Sequence, residues 1–359
     1  MTAGFWRDRR VLVTGHTGFK GAWLALWLQR LGARVTGFAL PADDPRSTFP
    51  SLKPWEDLDS HLGDLRDPSA VAEVIRSSEP EVVFHLAAQA LVRHGYANPF
   101  ETFHTNVVGT ANLLHQVGAS PGVRAIVVVT SDKVYANDST GAVFSESGLL
   151  GGEDPYSASK ALTELLVDGW RRSPARSRGT AISTARAGNV IGGGDRGTDR
   201  LLPDAWRALE AGKPLRLRYP HATRPWQFVL EPLYGYILLA ERLVDAPESA
   251  PPALNFAPSG EGSLPVADVV AYLFEQWGEG SWEPSGDASL PEAPSIHLDS
   301  TLARRTLGWA PRLSLPAALD WTTRWWRGDA EGADLRQLAL SQISAYEDLA
   351  TIVASGGGL

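Results

Sequence analysis

Short runs of unbroken apolar residues alternate with helical periodicity through the first half of the chain. Arg10-Val11-Leu12-Val13-Thr14 reads as a buried strand, and Ala22 to Leu31 as an apolar helix that Gly32 stops. Ala33 to Leu40 predicts a second strand, Pro68 to Ser77 a helix, and Val82-Val83-Phe84-His85-Leu86 a third strand. A helix over roughly Pro99 to Val117, a strand over Ala125 to Val129, a helix over Tyr156 to Arg171 and a strand over Ala181 to Ala185 continue the series. Strands that are apolar throughout are covered on both faces, and strands separated by helices pair in parallel. The expectation is an α/β fold on a doubly wound parallel sheet.

After Arg186 the texture changes to Gly192-Gly193-Gly194 and then many Pro, Trp and Arg residues. This predicts a smaller, loop-rich and interleaved C-terminal substrate domain. The expected division is 1–187 for cofactor binding and 188–330 for substrate, with 229–257 returning to the first domain. A helix and a Gly-rich end then occupy 331–359. With 359 residues the chain can bury a large core. A net charge of −8 argues against a general nucleic-acid or anionic-membrane surface. There is no cysteine, hence no disulfide or thiolate metal site, and the histidines show no metal-ligand spacing. No leader or transmembrane-length apolar run is evident, so a cytoplasmic protein is expected, without metal, nucleic-acid or membrane partners.

Gly15-x-x-Gly18-x-x-Gly21 follows a strand and opens a helix, the setting in which a glycine pattern signals a dinucleotide. The small residues allow a tight turn, close approach of a pyrophosphate to backbone N–H groups, and tight helix-strand packing. The turn Gly15, His16, Thr17, Gly18, Phe19 and Lys20 is therefore a candidate cofactor site; its plain alternative is an ordinary strand-helix turn. The second strand ends in Phe38-Ala39-Leu40 without an acid for the adenosine ribose, and Asp43, Asp44 and Arg46 come late. NAD and NADP both stay open on local sequence. Asp64 and Leu65 suit an adenine contact. Leu86, Ala87, Ala88 and Gln89 form a small-residue strand end along which a dinucleotide can lie.

Thr130-Ser131-Asp132-Lys133 stands at the end of an apolar strand, and Tyr156-Ser157-Ala158-Ser159-Lys160 follows some two dozen residues on. Tyr156 and Lys160 share a helix face. The ammonium lowers the phenol pKa and can bind a nicotinamide ribose, and Ser131 can hold the same substrate hydroxyl. Asp132 and Lys133 add a second acid/base pair that alcohol oxidation does not need. A ketone made at one carbon acidifies the neighbouring C–H, so Lys133 can remove that proton while Asp132 protonates a leaving hydroxyl. The plain alternative is a capping Asp and a solvent-facing Lys. Only five lysines occur, at 20, 53, 133, 160 and 213, and three lie in these motifs. In a chain that otherwise prefers Arg, retention suggests a need for a titratable amine. Arg196, Arg200, Arg216, Arg218 and Arg224 gather near Asn189 and Trp226. With the approach Gly192–Gly194, they suit a diphosphate pocket.

On these motifs the chain resembles the CDP-glucose 4,6-dehydratases of the extended short-chain dehydrogenase/reductase superfamily, over nearly its whole length. The matching stretches are VTGHTGFKGAWLALWLQRLGA from Val13, TSDKVYAN from Thr130, PYSASK from Pro155, RAGNVIGGGD from Arg186 and RPWQFVLEPLYGY from Arg224. NFAP at Asn255, LGW at Leu307 and SQISAY at Ser341 extend them. His16, Lys20 and Lys133 favour the CDP branch over dTDP-glucose dehydratases. The resemblance implies a Rossmann-type fold and tightly held NAD. It implies that Tyr156 is the base, Lys160 its electrostatic helper and Ser131 its hydroxyl partner in oxidation of glucose C4. Lys133 then removes the C5 proton, Asp132 protonates the departing C6 hydroxyl, and reduction at C6 gives CDP-4-keto-6-deoxyglucose. By the same analogy Asn189, Arg200, Arg218 and Arg224 hold the nucleotide diphosphate. A homodimer pairing helices near Pro99–Val117 and Tyr156–Arg171 is also implied.

The chain departs from the family pattern at Ala90 (usually Pro), Gly95 (usually Ser), Val134 (usually Cys), Tyr219 (usually Asn) and Phe228 (usually His). Gly95 and Phe228 are expected near sugar or cofactor, which bears on substrate identity more than on reaction type. A 4,6-dehydratase of another nucleotide hexose, an epimerase or reductase using only Tyr156 and Lys160, and a non-catalytic nucleotide-binding module are the alternatives.

Overall fold

The structure, a computed structural model, describes residues 1–2, 4–137, 141–173, 179–258, 263–285 and 296–355. The Gly-rich end expected after the last helix, 356–359, lies outside them. The strands are β1 (Arg10–Thr14), β2 (Arg34–Ala39), β3 (Asp59–Leu62), β4 (Val82–His85), β5 (Ala125–Val129), β6 (Ala181–Arg186) and β7 (Ala253–Asn255). They form one sheet in the order β7-β6-β5-β4-β1-β2-β3, every pair parallel. Strand order reverses between β1 and β4. In open α/β sheets ligands bind in the crevice at this point, beyond the strands' carboxyl ends.

The core explains why the strands are apolar throughout. Val11, Val13, Phe84 and Val127 join the apolar cluster on one face, and Leu12, Val83, Ile126 and Val128 the cluster on the other. Helix α1 (Phe19–Arg30) is buried continuously from Gly21 to Leu28. A helix apolar all round has to be enclosed, and here the rest of the chain encloses it. Trp27 meets Tyr346 edge-on at 5.7 Å, and its indole N–H donates to Glu347 Oε1 at 2.9 Å, both residues in the C-terminal helix Leu335–Ser355.

Helix α2 is Pro68–Ser78. Helix α3 runs through Pro99–Phe103, a π turn at His104–Val108, and Gly109–Gly118. Helix α4 is Pro155–Arg171, α5 Leu201–Glu210 and α6 Leu230–Asp245. Helix α6 packs on β5 and β6. The remainder is held by two-stranded ladders of two or three residues, such as Val190–Ile191 with Gln227–Phe228 and Leu215–Leu217 with Trp282–Pro284. Among the described residues no helix is long and apolar enough to cross a membrane.

Candidate active site

A cleft of about 1430 Å³ runs over the carboxyl ends of β1, β4 and β5 and under the residues that follow β6. Of the residues assigned above to catalysis, to the cofactor or to the nucleotide diphosphate by analogy, all line it except His16 and Lys160.

At one end is the glycine turn. Gly15 has φ 77° and lies so close to the start of the β4 loop that a Cβ would meet Ala87 N at 2.7 Å. A Cβ on Gly21 would stand 2.0 Å from Gly15 O, so helix and turn pack as tightly as the pattern required. A Cβ on Gly18 would find only Gly15 O at 3.4 Å. Helix α1 starts with no side-chain cap and no acid in its first turn, leaving its N–H groups to face an anion in the cleft. These features fit a dinucleotide pyrophosphate.

The side chain of His16 turns away. Its ring bonds Ser60 Oγ at 2.8 Å, meets Phe49 edge-on and occupies the space a Cβ on Gly37 would need. Burial pushes its pKa down to about 4. Thr17 donates to Leu40 O at 2.8 Å. Lys20 approaches the Tyr236 hydroxyl at 3.4 Å, and burial, with Lys160 and Arg200 nearby, pushes its pKa down to about 7. Asp64 is ion-paired with Arg66, which holds its pKa down, and Leu65 packs under Gly109. The Leu86–Gln89 strand end is fastened by Asn106. Its amide oxygen accepts from Gln89 N at 2.8 Å, while its amide nitrogen donates to Gln89 O at 3.0 Å and Ser159 Oγ at 2.8 Å. Asn106 sits in the π turn of α3, a distortion that often marks functional positions.

The centre is a zipper between the end of β5 and one face of α4. Lys160 Nζ donates to Val129 O at 3.2 Å, Thr130 donates to the carboxylate of Glu164, and Ser131 stands near the Tyr156 phenol. Tyr156, Lys160 and Glu164 are spaced by four, hence stacked on one face. Burial pushes Tyr156 up to about 12, against the lowering contact with Ser131. Burial pushes Lys160 down to about 8, against the raising effect of Glu164. Glu164 also accepts from Thr184 at 2.7 Å and from Arg186 at 3.0 and 2.8 Å. Arg186 donates in turn to the Tyr135 hydroxyl at 2.7 Å. Thr130 and Tyr135 thus tie both ends of the Ser131–Val134 turn to one buried ion pair, whose disruption from one side costs about 3–5 kcal/mol. Glu164, Arg186 and Asn106 escaped the sequence reading; only the four-residue spacing beyond Lys160 signalled the first.

In that turn Ser131 donates to Asp132 Oδ1 at 2.9 Å and accepts from Lys133 N at 3.2 Å. Asn189, held at φ 49°, donates to Asp132 Oδ2 at 3.3 Å. Gly188 has to lack a side chain, since a Cβ would lie 1.9 Å from that oxygen. Asp132 is buried and Lys133 half-buried at the cleft wall.

Arginines line the far side. Arg200 pairs with Asp195 at 3.0 Å, Arg218 with Asp199 at 3.0 Å, and buried Arg224 donates to Thr223 O at 3.0 Å. Arg93, from the opposite wall, shares Asp199 at 3.4 Å and was not anticipated. Two of the five clustered arginines are otherwise engaged: Arg196 with Asp329, over the Trp326 ring, and Arg216 with Glu283 at the surface.

Two expectations change. Of Gly192–Gly194, Gly193 serves packing, since a Cβ there would lie 1.9 Å from Trp325, while Gly192 and Gly194 line the cleft. Phe228 is fully buried between Trp23 and Trp321, away from the cleft. Gly95, by contrast, abuts Tyr156, where a Cβ would sit 3.2 Å from Tyr156 N. His85 bridges Thr14 at 2.7 Å and Thr110 at 2.9 Å inside the sheet, and burial pushes its pKa down to about 3.

Residues 11–250 match the family described as NAD dependent epimerase/dehydratase. A CDP-glucose 4,6-dehydratase of Salmonella typhimurium is 41% identical over 353 residues, covering 97% of this chain and 98% of its own. MoeE5, solved in complex with UDP-glucuronic acid and NAD, superposes with a TM-score of 0.76 at 25% identity, over 89% of this chain and 99% of its own. DesIV, a dTDP-glucose 4,6-dehydratase of Streptomyces venezuelae solved with NAD, shares the fold with a TM-score of 0.78 at 24% identity, over 90% and 98%.

Proposed function

The chain belongs to the NAD dependent epimerase/dehydratase family, and from that premise we propose that it converts CDP-glucose to CDP-4-keto-6-deoxyglucose by NAD-dependent 4,6-dehydration. One observation carries this reading. The end of β5 and the face of α4 bring Ser131, Tyr156 and Lys160 together with a second pair, Asp132 and Lys133, around one cleft. An oxidoreductase needs only the first set. The nucleobase rests on the 41% identity to the CDP-glucose enzyme.

The turn Gly15–Lys20 would hold the cofactor pyrophosphate, Asp64 and Leu65 the adenine end, Leu86–Gln89 its length, and Tyr156 and Lys160 the nicotinamide ribose. When bound, NAD supplies oxidation at C4 and the matching reduction at C6, so none is consumed. Tyr156 takes the C4 hydroxyl proton, with Ser131 beside its phenol and Lys160 supplying positive charge behind it. The C4 ketone acidifies C5–H. Lys133 takes that proton, Asp132 gives one to the C6 oxygen as water leaves, and Lys133 returns its proton to C5. Asn189, Arg200, Arg218 and Arg224 orient the nucleotide diphosphate. In this reading 1–187 binds cofactor and 188–330 binds nucleotide sugar, with 229–257 returned to the sheet.

Incubating the protein with CDP-glucose deuterated at C4 and a catalytic trace of NAD gives a product that has lost one water and carries deuterium at C6. Mass spectrometry and NMR read both. Retention of C6 oxygen, with the label washed out, overturns the reaction. Turnover of dTDP-, UDP- or GDP-glucose in place of CDP-glucose overturns only the nucleobase.

We also place the protein in the cytoplasm as a homodimer. Supporting the dimer are Phe100, Val108, Leu162 and Leu165, which leave 80%, 45%, 43% and 57% of their surface exposed on α3 and α4. Leu165→Glu is expected to sediment as a monomer; sedimentation of wild type as a monomer at micromolar concentration refutes the pairing.

A further inference from the structure

A carboxyl that protonates a leaving oxygen has to face it, and rotation about the last bond of an aspartate is only loosely restrained by its own torsion. Asp132, 4% exposed, is held from three sides. Ser131 donates to Oδ1 at 2.9 Å from within the same turn. The other two restraints come from beyond β6. Asn189 Nδ2 donates to Oδ2 at 3.3 Å, and Gly188 lies so close to the carboxyl that a Cβ would stand 2.1 Å from its carbon. Asn189 reaches Asp132 from a left-handed backbone at φ 49°, a conformation that asparagine tolerates better than most side chains. Gln227 grips that backbone twice. Its main-chain N–H donates to Asn189 O at 3.2 Å, and its side-chain amide donates to Gly188 O at 3.2 Å and Phe256 O at 2.8 Å. Gln227 is 3% exposed and stands behind the cleft wall rather than on it.

We propose that Gln227, Gly188 and Asn189 form a clamp that fixes the orientation of the Asp132 carboxyl, which makes Asn189 and Gln227 positioning residues for the loss of water. The clamp rests on the 4,6-dehydration reading and deepens it. In that step Lys133 takes the C5 proton, and the electron pair of the C5–H bond forms the C5–C6 double bond. The C6–O bond breaks toward oxygen, which receives the Asp132 proton and leaves as water. A carboxyl oxygen has two lone pairs, so the bonds from Ser131 and Asn189 leave room for the acid proton. The bond to Asp132 uses one of the two amide protons of Asn189, which is compatible with a contact to the nucleotide diphosphate. Oxidation at C4 does not use Asp132, so the clamp bears on the second half of the reaction.

The test follows single turnovers of saturating CDP-glucose, with cofactor reduction read by near-ultraviolet absorbance and water loss by mass spectrometry. Asn189→Gly keeps the left-handed backbone and removes the amide. Gln227→Met keeps the bulk and removes the side-chain grip. Both are expected to lose water roughly ten- to a hundredfold more slowly, while cofactor reduction changes far less and reduced cofactor accumulates. C5 still exchanges with deuterated solvent, because Lys133 is untouched. With fluorine in place of the C6 hydroxyl the deficit shrinks severalfold, since fluoride leaves without needing a proton, whereas a loosened fold slows both substrates alike. Water loss at the wild-type rate in a folded Asn189→Gly overturns the clamp, and so does an equal deficit with both leaving groups. Should that variant fail to fold, Gln227→Met decides by the same criteria. A wild-type protein that dehydrates no nucleotide sugar counts against the dehydration reading instead.

Discussion

Tyr156→Phe lowers turnover by roughly a hundred- to ten-thousandfold while the protein keeps its fold and its affinity for nucleotide sugar. The size follows from losing the group proposed to accept the first proton, since one positioned acid/base contributes roughly 10²- to 10⁴-fold. Nothing downstream can compensate, because without a C4 ketone the C5 proton is not acidic. Little stability is at risk. The ring stays in its buried place, and only the hydroxyl is lost. Steady-state assay of the purified variant beside its thermal unfolding checks both halves. Turnover within tenfold of wild type would assign the first proton transfer elsewhere, with Lys20, about 7 and in the same electrostatic neighbourhood, the first place to look.

Lys133→Ala stops the reaction after its first half. Oxidation at C4 depends on Tyr156, Ser131 and Lys160, which the substitution leaves in place, so cofactor is still reduced. Loss of water falls by roughly a hundredfold or more, because the C5 proton has lost its acceptor. Reduced cofactor builds up on the enzyme, and the C5 position of substrate ceases to exchange with deuterated solvent. Lys133 is half-buried in the cleft wall, and the turn around it is held by Thr130, Ser131 and Tyr135. The backbone therefore has no reason to move. Dehydration at the wild-type rate in this variant would remove Lys133 from the chemistry. Loss of oxidation together with dehydration would mean instead that Lys133 helps seat the sugar.

Much of this was legible beforehand, for identifiable reasons. The strands Arg10–Thr14 and Ala125–Val129 announce themselves because both faces of a central parallel strand are buried, which leaves an unbroken apolar run. Tyr156 and Lys160 pair because a helix repeats its face every four residues whatever surrounds it. Ser131, Asp132 and Lys133 are contiguous, so their meeting at a strand end needed no tertiary information. The reading went astray where one residue type serves two purposes. Glycines that let a phosphate approach look the same in sequence as a glycine that makes room for Trp325, and Gly193 is the second kind. Phe228 stands in a motif otherwise tied to the site, yet its ring points into the core.

Local periodicity and a few adjacent residues were enough to specify the parallel sheet, the glycine turn and which polar groups stand together at the end of β5 and on one face of α4. Tertiary structure decided what those groups are tied to. It joined Glu164 to Arg186 beneath the turn, brought Asn189 and Gly188 from beyond β6 onto Asp132, and set Arg93 opposite Arg218 across the cleft. It also turned His16 away from the cleft and left Lys160 behind Tyr156 rather than on its surface. Such pairings join residues dozens of positions apart, and a buried polar group finds its partner only once chain closure has brought the two together and excluded water from both.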